Sequence, residues 1–156
     1  MRMNSMANST LVVASHSEAE RIGSAATLPE VEFPHFHCGN LDAGIFGQMF
    51  WERSSNKREL IGSGARIEVI YSSSTVRESV VVHALPPQVT QRYAQLDDEE
   101  LREFAASWSR TNGHIRMPRS QDFYERLLQA VARLARIAVR DQRALLVRTQ
   151  FRYDPE

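Results

Sequence analysis

Two histidines, one cysteine and a row of arginines are the side chains whose type and spacing could do chemistry in this chain. His35 and His37 stand two apart in an apolar, aromatic stretch over 31–38. On a strand, residues i and i+2 share a face. The two imidazoles could therefore meet one metal ion, with His83 or His114 as a third ligand. Zinc needs three or four converging groups, and this short spacing supplies two. The plainer reading makes them half-buried histidines beside Phe33 and Phe36. No bound metal is expected and no cofactor is implied. Cys38 with a histidine base could act as a nucleophile; a lone cysteine more often packs as a small buried hydrophobe.

The arginines near the C-terminus carry a more specific pattern. From Ser120 to about Arg140, Phe123, Leu127, Val131, Leu134 and Ala138 recur at helical spacing. At 100° per residue, Arg119, Arg126, Arg133, Arg136 and Arg140 fall within about 100° of one another, nearly opposite that stripe. A guanidinium is a planar fork that donates two parallel hydrogen bonds, which suits carboxylates and phosphates. Arg126, Arg133, Arg136 and Arg140 are the candidate partner-binding residues. The ordinary alternative is a solvated face whose arginines pair with acidic groups of the same chain. Gly62-Ser63-Gly64 lacks the glycine spacing of a nucleophile elbow and of the dinucleotide and P-loop patterns. Asp97-Asp98-Glu99-Glu100 precedes an amphipathic stripe, so it reads as a charged helix start rather than a metal-binding run.

These residues need elements to position them. Residues 1–29 read as an irregular lead-in, with one apolar island at Leu11-Val12-Val13-Ala14 that is a strand or a loose tail. From Val31 the pattern turns to strands, and Pro34 marks the first as an edge strand or a bulge. Residues 45–53 carry large apolar groups on both sides, as a buried strand or a short helix would; Gly44 and Gly47 lower helix propensity and favour the strand. Ile67, Val69 and Tyr71 alternate with Arg66, Glu68 and Ile70, and Val76, Val80 and Val82 with Arg77, Ser79 and Val81, across Ser72-Ser73-Ser74, which predicts a hairpin turning at the serines. Pro86-Pro87 ends the sheet pattern. Asp97 or Asp98 caps a helix whose buried stripe is Leu101, Phe104, Ala105 and Trp108, closed by Thr111-Asn112-Gly113. After the arginine-bearing helix, Leu145, Val147, Phe151 and Tyr153 alternate with Leu146, Arg148, Gln150 and Arg152, a half-exposed strand. The expected fold class is α+β: an antiparallel β-meander packed against two C-terminal helices, with a final strand returning to the sheet. Residues 30–156 are expected to form one domain.

The totals fit that reading. The chain has 156 residues, 42% of them hydrophobic, enough for a core without disulfides. One cysteine cannot form an internal disulfide, which fits a reducing compartment. No run reaches the roughly 20 apolar residues of a membrane-spanning helix, and the island at 11–14 is shorter than a signal-peptide core. A cytoplasmic protein without a membrane partner is expected. The net charge is zero but uneven: residues 1–109 hold 9 basic and 14 acidic side chains, residues 110–153 hold 10 and 3. Such asymmetry marks an electrostatic partner site or two halves that neutralise each other. Arginine outnumbers lysine 18 to 1, a codon signature of a GC-rich bacterium.

Leu96-Asp97-Asp98-Glu99-Glu100-Leu101, followed by Phe104 and Trp108, resembles a helix of small bacterial immunity-type proteins, over that helix only. The leading expectation is a non-enzymatic protein-binding module, immunity or antitoxin-like, that holds a partner protein such as a toxin and blocks it. The alternatives are nucleic-acid binding through the arginine ridge, which the neutral total charge disfavours, and a small metalloenzyme built on His35 and His37.

Overall fold

The computed structural model of the chain describes residues 4–40, 67–110 and 120–154. Five strands, β1 (Asn4–Ala14), β2 (His35–Gly39), β3 (Glu68–Ser74), β4 (Glu78–Ala84) and β5 (Ala144–Asp154), form one sheet in the order β2-β1-β5-β4-β3. Every neighbouring pair is antiparallel. The expected α+β class, antiparallel sheet and returning final strand are all present. That last strand takes the middle of the sheet rather than a half-exposed place: Leu145, Leu146 and Val147 are fully buried. Its partner is the start of the chain, in register from Asn4↔Asp154 to Ala14↔Ala144. The lead-in expected over 1–29 therefore contains an interior strand. Leu11-Val12-Val13-Ala14 has no alternation because both faces are covered.

On one face, Leu11, Val13, Leu145 and Val147 meet a helical layer made of α2 (Pro87–Ala94), α3 (Asp98–Arg110) and α4 (Gln121–Arg140). α4 packs against α2, α3 and the sheet together, so about 200° of its circumference is buried. Leu127, Leu128, Val131 and Leu134 fill that arc, and Ala132, Ala135 and Ala138 let the neighbours approach. On the other face, Val12, Ala14, Val82, Ala84 and Leu146 pack under the six-residue helix α1 (Ala19–Ser24) and Phe33. α1 is too short to leave a periodic signal in the sequence. α2 is hidden there by Pro86-Pro87: Pro87 opens this helix, where a missing N–H costs nothing.

Local rules set the ends of the remaining elements. Asp97 Oδ1 accepts from Glu100 N at 2.8 Å, and Glu100 Oε1 accepts from Asp97 N at 3.4 Å, a capping box. Glu100 Oε2 also accepts from Arg92 at 2.9 Å. The acidic run is thus a helix start. Ser120 Oγ caps α4 through Phe123 N at 3.2 Å. The β3–β4 hairpin turns at Thr75–Arg77 rather than at the serines, because Thr75 bonds Glu78 from both its N–H and its hydroxyl. Residues 45–53, Gly62-Ser63-Gly64, Thr111-Asn112-Gly113, His114, Arg119 and the side chain of Trp108 lie outside the described residues.

Candidate partner-binding face

α4 places Arg126, Arg133, Arg136 and Arg140 together on its exposed side, as the helical wheel requires. Their circumstances differ. Arg136 Nε donates to Ala94 O at 3.1 Å and its Nη2 to Leu96 O at 2.8 Å. It therefore satisfies carbonyls at the end of α2 that have no helical partner. Arg140 forks onto Asp141, with bonds of 2.9 and 3.3 Å. That bond raises the Arg140 pKa and lowers that of Asp141. Arg126 and Arg133 are exposed and hold no hydrogen bond or ion pair with the described residues. Seven residues separate them, about 10.5 Å along the axis. Next to this row, Asp98, Leu101, Arg102, Glu125 and Gln129 line a shallow cleft between α3 and α4.

Among the described residues the two histidines come together without a third ligand. The rings of His35 and His37 lie 5.3 Å apart, edge to face, on the α1 side of the sheet by strand alternation. His35 Nδ1 lies 2.8 Å from Phe33 O, which can only accept, so this nitrogen carries its proton. It also lies 3.2 Å from Glu30 Oε2. His37 Nδ1 bonds the Thr10 hydroxyl at 2.9 Å. His83 is on β4, beyond β1 and β5 and on the opposite face. Among the described residues no group of three or more His, Cys, Asp or Glu side chains is placed to hold a metal. Cys38 points into the helical layer, away from both histidines. Its thiol is nearly fully buried, and burial pushes its pKa up to about 12.

Three arginines to which alternation assigns solvent or no role hold the α1 side in place. Arg148, half-buried on β5, donates to the carbonyls of Ile22, Gly23 and Ala25 at 3.1, 3.4 and 3.4 Å. It closes the end of α1, where the helix dipole is negative, and burial lowers its pKa. Phe33 lies between Arg21 and Arg143, 5.0 and 5.6 Å from its ring centre. Arg143 also reaches Glu32 O at 3.0 Å and Glu18 at 3.3 Å, and Arg21 forks onto Glu32. Glu18 is held below the usual carboxylate range, mainly by the Ser15 N–H. Through Arg143 and Glu18 the basic end of the chain meets the acidic beginning. The cue in the sequence is Arg148 beside Leu146, on a strand rich enough in apolar residues to be interior.

The chain matches no family model, no curated protein and no solved structure. Among the described residues no helix is long and apolar enough to cross a membrane.

Proposed function

We propose that the chain is a non-enzymatic protein-binding module of the bacterial cytoplasm, immunity or antitoxin-like, that uses the exposed side of α4 to hold and block an acidic partner protein. The observation that carries this reading is Arg126 and Arg133, two arginines on a rigid helix that no described residue neutralises. Charges presented this way accelerate encounter with a partner of opposite sign. Arg136 and Arg140, already bonded within the chain, would flank the contact rather than anchor it. A protein partner is preferred to nucleic acid because the whole chain is neutral, and phosphate-tracking surfaces carry a marked basic excess. The test is co-expression with the product of the adjacent gene. Under this reading that product alone arrests growth, co-expression relieves the arrest, and the two proteins co-elute. Reversal of Arg133 to Glu should weaken the complex and lower its association rate, and added salt should do the same to the native pair. Full protection by a chain with both Arg126 and Arg133 reversed would remove α4 from the function.

A further inference from the structure

His35 and His37 are both held through the same ring atom, which leaves the other nitrogen open. His35 Nδ1 donates to Phe33 O at 2.8 Å, and the Glu30 carboxylate lies 3.2 Å from it. His37 Nδ1 meets the Thr10 hydroxyl at 2.9 Å. Among the described residues no hydrogen-bond partner reaches either Nε2. Histidines that ligate metals are held in this way: the other ring N–H is donated to a carbonyl, a carboxylate or water, which fixes the tautomer and the ring. The Thr10 hydroxyl stands where such a water would. The two rings share a face because their residues pair in step with β1, Val12↔His35 and Thr10↔His37. Their spacing fits as well. With metal–nitrogen bonds of about 2.1 Å, each ring centre sits about 3.2 Å from an ion, and a tetrahedral angle puts the two centres about 5 Å apart. The observed separation is 5.3 Å, and His37 is exposed, so an ion reaches the pair from solvent. From this arrangement we infer that His35 Nε2 and His37 Nε2 chelate one late first-row divalent ion, with water in its remaining positions. Glu30, Phe33 O and Thr10 position the rings without touching the ion. Structural zinc sites close with four protein ligands; with two, the ion keeps water and exchanges readily. Imidazole selects Cu(II), Ni(II) and Zn(II) over Mg(II), which prefers oxygen. The pair stands on the sheet face opposite α4, so this site is independent of the partner-binding reading.

The experiment uses the full chain without a histidine tag, stripped with chelator and titrated calorimetrically with chlorides of Cu(II), Ni(II), Zn(II) and Mg(II). One ion should bind per chain, Cu(II) tighter than Ni(II) or Zn(II), and Mg(II) not at all. His37→Ala changes an exposed side chain, so the fold stays and affinity should fall at least about tenfold. Glu30→Gln should weaken binding by about tenfold through the orientation of His35 alone, with the metal-free melting temperature unchanged. His16→Ala, at an exposed histidine elsewhere, should leave binding as it is. Imidazole nitrogen spectra read the ligating atom directly: with Zn(II), the Nε2 signals of His35 and His37 should move while both Nδ1 atoms keep their protons. No binding of Cu(II) or Zn(II) at about 1 mM overturns the inference. So does binding that survives His37→Ala, or a shift at Nδ1 in place of Nε2. Half an ion per chain, with a doubling of mass in solution, would overturn the one-chain site.

Discussion

At the scale of residues, the buried groups dictate more than the exposed ones. Cys38 is neutral in the folded chain at all ordinary pH, because its thiolate would sit in the helical core. Unfolded, it ionises near the ordinary thiol value of 9.0. Its folded pKa is the higher, so its contribution to stability is complete below pH 9 and is lost as pH rises toward about 12. Denaturant titrations should show stability falling over that window, by up to about 1.4 kcal/mol per pH unit from this group. Cys38→Ala should flatten that part of the slope, and an unchanged slope would mean that the thiol is not buried. At Gly23 there is no room for a methyl group without movement: a Cβ there would lie 2.2 Å from Tyr71 Cε1. Gly23→Ala should cost about 1–3 kcal/mol in urea unfolding. Tyr71→Ser should cancel much of that cost, giving strong non-additivity in a double-mutant cycle.

At the scale of elements, α4 carries two kinds of arginine. Arg136→Ala should lower stability by about 1 kcal/mol, since two carbonyls at the end of α2 lose their donor. Arg133→Ala should stay within about half a kcal/mol. Paired thermal melts check the contrast, and equal effects would mean that Arg136 does not clip α2. The turn out of α4 places Gln142 in the left-handed region, φ 55°, where Arg143 N bonds Ala138 O at 2.8 Å. Gln142→Gly should therefore stabilise by up to about 1 kcal/mol, a gain that a higher midpoint in urea would register. α3, α4, the hairpin and the last strand are legible in the sequence because each repeats with a period of 2 or 3.6 over enough residues. The others are hidden for physical reasons. Asn4–Ser9 is short and polar, yet Ser9 is buried because its hydroxyl bonds Thr149 across the sheet, at 3.3 Å. α1 has one and a half turns. α2 begins at a proline that also reads as a stop. For the candidate site, the wheel finds the ridge but cannot divide it, because the partners of Arg136 lie some 40 residues away.

At the scale of the whole molecule, the two ends of the described sheet are neighbours: Asn4 pairs with Asp154. A permutant that joins the ends through a short flexible linker and opens the chain at the exposed Val76 should keep the sheet and fold cooperatively. A permutant without a cooperative transition would show that continuity through the β3–β4 turn is itself required.

The β1–β5 pairing also sets a timetable. Sequence separations of the Ser9–Thr149 kind give high contact order, and folding slows as contact order rises. Synthesis proceeds at about 5–20 residues per second, so Leu11-Val12-Val13-Ala14 leaves the ribosome on the order of ten seconds before the strand that covers it. Through that interval the apolar second half of β1 has an open side, available to chaperones or to another nascent copy.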